Sequence, residues 1–292
     1  MAPYRDVTLR RPEPKRGPAQ TLLLIGLFVT LAVSACGGGS GAAAPSATTP
    51  TSAASPATPQ AGGGDQIICL PAQGETATIA TAKLIIEYNF TDNDIGVHGG
   101  FDDHGWSEIC VYDPNGTQVL AVKPQAQLKD LTMAGIFFES REPPGAEFSF
   151  EDLKARFPEG QYQVRAISFD GTRLTGSATF THDVPAPPTV TSPPEGAVVS
   201  TSGLVIEWQD VTETVDGGPV TITGYEVIVT KVEHTDPHGF SQPLFDVHVP
   251  ADRNTLAVPV QFLEPGTEYE LEVLALEASG NQTITVSSFT TE

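Results

Sequence analysis

The sequence predicts an all-β protein in which two tandem β-sandwiches follow a signal peptide and a disordered linker. Three observations lead there. From about residue 66 onward, apolar and polar side chains alternate in short runs, the period of strands with one buried face. Clusters of Gly, Pro, Asp and Asn bound those runs, as turns between strands require. Ahead of them, residues 37–65 (GGGSGAAAPSATTPTSAASPATPQAGGGD) hold no aromatic side chain and almost no charge, so nothing there can bury a core. With 292 residues, 39% of them hydrophobic, the chain has apolar material for two ordinary domains beyond that linker. The boundaries read as 1–35 for the signal peptide, 36–65 for the linker, 66–184 for the first sandwich and 187–292 for the second.

The first segment opens with Arg10, Arg11, Lys15 and Arg16, continues with an uncharged run from Thr21 to Ala35 (TLLLIGLFVTLAVSA), and reaches Cys36. That is the layout of a secretory signal. A transmembrane span needs about 20 predominantly apolar residues, and this run is shorter and ends in small side chains. Val33, Ser34, Ala35 and Cys36 resemble the lipobox of bacterial lipoproteins, an aliphatic residue, two small ones and the cysteine that takes the lipid. The resemblance implies diacylglyceryl transfer to Cys36 and cleavage before it, with attachment to the cell membrane or an outer membrane, facing outside the cytoplasm. Small residues let the backbone into a peptidase cleft, and a thiol is nucleophilic enough to form the thioether. At about 0.8 kcal/mol per buried methylene, two or three acyl chains hold permanently where one is marginal. Ordinary secretory cleavage after Ala35, or retention as an uncleaved anchor, are the other readings of the same residues. The linker then serves as a spacer with a root-mean-square span of roughly 30 Å.

The formal charge is −21, and removing residues 1–35 takes away five basic and two acidic side chains, leaving −24. A surface of that sign repels phosphate backbones and anionic headgroups, which excludes nucleic acid as a partner and leaves the lipid as the link to the membrane. Three cysteines are an odd number until Cys36 is assigned to lipid. Cys69 and Cys110 then make a pair suited to an oxidising compartment, with two buried free thiols as the alternative.

In the second sandwich, Leu204, Ile206 and Trp208 fall on one face, as do Tyr225, Val227 and Val229. Tyr269, Leu271, Val273 and Ala275 point inward, and Glu268, Glu270 and Glu272 are expected to face water, because an unpaired buried carboxylate is costly. Leu263-Glu264-Pro265-Gly266-Thr267-Glu268-Tyr269 resembles the tyrosine-corner segment of fibronectin type III domains. Trp208 stands where that family carries its second-strand core tryptophan, Tyr225 opens the third strand, and a Pro-rich approach (Pro185, Pro187, Pro188, Pro193, Pro194) precedes the domain. The resemblance covers about residues 187–292 and implies a fibronectin type III sandwich. It carries over no ligand site. The loop Ala278 to Asn281 offers nothing diagnostic, and the acidic loop Asp210 to Asp216 reads as solvated.

The first sandwich repeats the pattern and reads as immunoglobulin-like. Expected strands are Lys83 to Phe90, Ser107 to Tyr112, Gln118 to Val122, Gly135 to Ser140, Tyr162 to Ser168 and Gly176 to Thr181. Asn115-Gly116 forms a hairpin tip and Asp170-Gly171 another. Glu151 to Arg156 reads as a helical turn, and Phe157 to Tyr162 echoes the corner segment of the second sandwich. Residues 92–106 stand apart as a loop with His98, His104, Trp106 and the acids Asp92, Asp94, Asp102 and Asp103. Three readings stay open: a structural turn with a core tryptophan, a cation site, and a ligand contact centred on Trp106 and His104. For the cation, calcium takes Asp92, Asp94 and Asp103 as oxygen ligands, although Val97 and Asp103 stand where an EF-hand wants Gly and Glu. Zinc takes His98, His104 and an Asp, without a second ligand pair elsewhere.

A catalytic centre needs a nucleophile with its base, paired carboxylates in a cleft, or a recognisable motif. The chain has no G-x-S-x-G, no H-E-x-x-H and no glycine loop between a strand and a helix. The expected function is therefore not enzymatic: a membrane-anchored extracytoplasmic lipoprotein whose sandwiches bind an unidentified protein or glycan, with no cofactor except calcium at the loop. The alternative is a calcium- or zinc-dependent enzyme or sensor built on residues 92–106.

Overall fold

The computed structural model describes Cys69, residues 76–233 and residues 244–292. The expected signal peptide and linker, with Cys36, lie outside the described residues. What is described is all-β, with two short helices and two sandwich cores.

The first sandwich comprises β1 (Thr76–Thr78), β2 (Thr81–Asn89), β3 (Asp94–Tyr112), β4 (Gln118–Val122), α1 (Ala126–Leu131), β5 (Met133–Glu139), α2 (Phe150–Arg156), β6 (Gly160–Ser168) and β7 (Arg173–Phe180). Strand β3 belongs to both of its layers. Residues 94–102 pair with β2 and residues 98–102 with β5, whereas residues 106–112 pair with β6 and residues 109–112 with β4. The change of partner falls at a bulge where Gly105 has φ of +152°, a conformation that favours glycine. Asp103 serves that bulge, since the N–H groups of Ala80 and His104 donate to its carboxylate at 2.9 and 2.7 Å.

The expected loop at 92–106 is therefore a turn only as far as Asn93 and a strand from Asp94 onward. The first half of β3 is buried on both faces, so it lacks the polar alternation of a half-buried strand. Gly96, Gly99 and Gly100 also lower its strand propensity, and pairing on both sides overrides that. Gly99 leaves room for Phe138, whose ring would stand 2.2 Å from a Cβ. The helical turn forms as α2, capped by Ser149 and Asp152 in a reciprocal capping box.

Trp106, Phe101, Tyr162 and Phe180 fill the first core. Cys69 and Cys110 form a disulfide, with Cα atoms 5.8 Å apart and a sequence separation of 41, which on the loop-entropy model stabilises by about 4 kcal/mol. The echo of the corner segment at Phe157 to Tyr162 extends to packing alone, because the buried Tyr162 hydroxyl has no hydrogen-bond partner among the described residues.

The second sandwich comprises β8 (Val190–Ser192), β9 (Ala197–Val199), β10 (Val205–Trp208), β11 (Ile222–Lys231), β12 (Leu244–Pro250), β13 (Thr255–Ala257), β14 (Glu268–Glu277) and β15 (Gln282–Thr291). The sheet β13-β10-β8 faces the strands β15-β14-β11-β12 across a core of Trp208, Tyr225, Tyr269 and Phe289. Tyr269 closes the corner: the Glu264 N–H donates to its hydroxyl at 2.8 Å. Tyr225 packs on Trp208 at 5.4 Å between ring centres and accepts from the Val211 N–H at 2.8 Å.

The two sandwiches are hydrogen-bonded into one sheet. β15 runs parallel to β2, pairing Gln282 with Glu87, Thr283 with Tyr88 and Ile284 with Asn89, so the strand order is continuous as β1-β7-β6-β3-β2-β15-β14-β11-β12. Asn281, in the loop that read as undiagnostic, is the clamp of this seam. Its side-chain oxygen accepts from the Ile86 N–H at 2.8 Å, and its amide donates to the Thr181 and Asp183 carbonyls at 3.1 and 3.3 Å. The acidic loop 210–216 also joins rather than floats: Asp216 bonds Lys154 of α2 at 2.6 Å and the Val215 N–H donates to the Val184 carbonyl at 2.9 Å.

Glu272 departs from expectation. It is only 8% exposed, because the outer face of its sheet carries its own apolar cluster of Ile228, Leu274 and Ile284 instead of open water.

Candidate functional site

The five loop residues singled out in the sequence do not converge. Asp94 and Asp103 stand nine positions apart on one strand, roughly 30 Å at the rise of an extended chain, so no single cation reaches both. Asp92 sits in the preceding turn, accepting from the Asn89 amide at 2.9 Å and donating its own N–H back to Asn89 at 3.1 Å. Trp106 is fully buried with its indole N–H donating to the Ala134 carbonyl at 2.9 Å, which removes it as a ligand platform. His104 is 92% exposed beside Asp103, and His98 lies on a buried stretch of the strand, so the zinc set is not assembled either. The calcium set and the Trp106–His104 contact are thereby corrected: extended pairing separates what the sequence holds close.

A different cluster forms around His98. On the outer face of β2 and β3, Glu87 stands opposite Gly96, and His98 follows two positions along. Glu142, beyond the end of β5, folds back over Gly96, where a Cβ would stand 2.4 Å from its carboxylate oxygen. Glycine at 96 is what admits it. His98 Nδ1 then faces Glu87 at 3.6 Å and Nε2 faces Glu142 at 3.0 Å. Glu139 stands opposite His98 in the β3–β5 register, and Phe137 meets the imidazole edge-on. Gln282 of β15 closes the cluster from the second sandwich by donating to Glu87.

Burial dominates the electrostatics here. Glu87, 1% exposed, is pushed up to about 8 by loss of water, opposed by the His98 charge and reinforced by Glu142. Burial pulls His98 down, yet its hydrogen bond to Glu142 and the charges of Glu87, Glu142 and Glu139 carry the net shift upward. Glu139 is raised by burial first, with His98 opposing and Glu142 adding. With both imidazole nitrogens facing carboxylates and Gln282 over Glu87, the shifts of Glu87, His98 and Glu139 all favour the protonated forms at the seam.

Beside it a cleft of about 200 Å³ opens, lined by Tyr88, Asn93, Asp94, Phe148, Phe150 and Asp216, residues of both sandwiches. Lys154 lies over the Phe150 ring at 4.1 Å and pairs with Asp216. Asp94 is the unmatched group: its Oδ1 is buried without a hydrogen-bond partner among the described residues. Burial, then the charges of Glu142, Asp92 and Glu139, push it up to about 6. Aromatic rings beside a carboxylate and an amide can stack the C–H face of a sugar while bonding its hydroxyls. Sequence reasoning placed Asp94 among candidates for a different reason and missed the cleft, because its walls come together only when the sandwiches join.

Residues 192–291 match the family model of the fibronectin type III domain, so the second sandwich is one, as Tyr269, Trp208 and Tyr225 led us to expect. Among solved structures, the fibronectin(III)-like modules of Clostridium thermocellum CbhA are 13% identical, with 73% of this chain and 92% of theirs covered at a TM-score of 0.30. The FN1-FN3 domains of chicken CNTN1 are 15% identical, with 74% and 69% covered at 0.29. A two-domain fibronectin type III segment of chicken tenascin is 9% identical, with 72% and 98% covered at 0.26. No curated protein matches the chain in sequence.

Proposed function

We propose that this chain is an extracytoplasmic lipoprotein, held at a cell or outer membrane by lipid on Cys36, which presents its two joined sandwiches for binding. The disulfide carries this reading. Cys69 and Cys110 are bridged, as befits an oxidising compartment, which leaves Cys36 as the third thiol, directly after a secretory-type apolar run. Fibronectin type III sandwiches serve mainly as binding and structural modules, and no catalytic family is matched. Cell fractionation with mass spectrometry of the N-terminal peptide tests the anchor. The expected result is an acylated Cys36 at the mature N-terminus, and a Cys36→Ala chain released from the membrane fraction. An unmodified peptide beginning at Met1 on the cellular protein overturns it.

The ligand the seam suits best is a glycan, because the cleft sets Tyr88 and Phe148 beside Asn93 and the unmatched Asp94. A glycan array on the purified protein, repeated with Asp94→Asn, reads this directly. Binding that weakens in the variant supports the cleft. A clean miss across the array transfers the binding role to a protein partner.

A further inference from the structure

The second sandwich carries another acid and histidine cluster, on the outer face of its larger sheet. Glu226 of β11 stands opposite His248 of β12, and Asp246 and Glu272 flank Ile228 from β12 and β14. One donor atom each from Glu226, Asp246 and His248 lie within 4.8 Å of one another, and His248 Nε2 is 3.4 Å from Glu226 Oε1. A further carboxylate, Glu272, shares this face, opposite Ile228 in the β11–β14 register. Glu272 Oε2 and Asp246 Oδ1 are buried and without hydrogen-bond partners among the described residues. A buried carboxylate with no donor is a cost that a folded chain rarely carries unless something else meets it.

We propose that Glu226, Asp246 and His248, backed by Glu272, form a binding site for a divalent transition cation of the zinc class. An imidazole with carboxylates is a nitrogen–oxygen donor set that suits zinc, whose bonds of about 2.0–2.2 Å place donors about 3.3–3.6 Å apart in a tetrahedral site. Donors within 4.8 Å need to close by about an ångström, which rotamers of Glu226 and His248 supply. His248 is 58% exposed, so the cation has a route in and water a place in the fourth position. The first cluster differs on this point, since His98 is sealed between two carboxylates under Gln282.

Burial and mutual repulsion of like charges act on the acids of this face. Burial and then the charge and hydrogen bond of Glu226 push Asp246 up to about 6. Burial, then the charges of Glu270, Glu226, Asp246 and Asp92, push Glu272 up to about 7. The hydrogen bond to Glu226 holds His248 above its ordinary value, with burial and Lys83 opposing.

Titration calorimetry of zinc chloride into the purified full chain tests the site, with thermal unfolding measured alongside and magnesium and calcium chloride as comparisons. The expected result is one zinc site per chain, a higher Tm with zinc, and affinity lower by at least about tenfold in both His248→Ala and Glu226→Gln. His248 is exposed, so its variant keeps the fold, and its Tm in chelator verifies that. Absence of zinc binding overturns the proposal, as does wild-type affinity in both variants. Calcium binding that ignores His248→Ala overturns the cation class.

Discussion

The two clusters of acids around a histidine use the same residue types on outer sheet faces, and differ in what covers them. At the seam, Glu87, His98 and Glu142 are closed by Gln282 from the other sandwich, and burial shifts Glu87 towards its protonated form. On the second sandwich, Glu226, Asp246 and His248 stay partly open, and two buried oxygens there have no donor among the described residues. Composition alone does not distinguish a proton-holding joint from a site that can take a cation. Cover does, because it decides whether water, a proton or an ion answers the carboxylates.

The sandwiches themselves differ in the same way. The first relies on a covalent staple and the second on aromatic packing around the Tyr269 corner. Replacing Cys69 and Cys110 together by Ser is expected to destabilise the first sandwich by up to about 4 kcal/mol while sparing the second. Denaturation followed at Trp106 and Trp208 separately checks it; equal losses at both would mean that the seam makes one cooperative unit. Next in size, Asn281→Ala strips the Ile86 N–H and two carbonyls of their partner and is expected to cost about 1–3 kcal/mol. In this variant the two tryptophan transitions should draw apart, and transitions that stay together would show that β2–β15 pairing suffices.

A smaller effect distinguishes the seam cluster by pH. Glu87 is raised from its ordinary 4.5 to about 8 in the fold, so its contribution is fully present below about pH 4.5 and is lost as pH rises through 8. His98, also raised, works in the same direction. Glu87→Gln keeps the bond with Gln282 available and removes the titration. Its Tm should therefore vary less between pH 5 and 8.5 and exceed that of the parent at the alkaline end by a few degrees. Parallel pH curves would place Glu87 in contact with water. Smallest of all, Tyr269→Phe frees the Glu264 N–H and is expected to cost about 1 kcal/mol, measured by urea denaturation. The same change at Tyr162, whose hydroxyl has no partner among the described residues, should cost nothing or stabilise slightly.

What was legible in the sequence follows from the reach of its local signals. Alternation fixed the inward faces at Tyr225, Val227 and Val229 and at Tyr269, Leu271 and Val273, because a two-residue period is a property of one strand. The Cys69–Cys110 pair was legible by elimination once Cys36 was set aside, and the corner tyrosine by its neighbours. Residues 94–106 of β3 read as a loop because pairing on both sides overrides glycine content, whereas the expected strand Ser107 to Tyr112 is its second half. Glu272 was misplaced because the same period tells which face a side chain takes and not what lies over that face.

By itself, then, the sequence determined the two β-sandwich patterns, the aromatic core of the second and the Cys69–Cys110 pair. The tertiary structure alone decided that β2 and β15 share one sheet, and with it the seam cleft, the sealed His98 cluster and the open His248 cluster. The physical reason is that strands pair through backbone groups every residue carries, so register and sheet joining leave no side-chain signature. Residues far apart in the chain become a site only after that register is set.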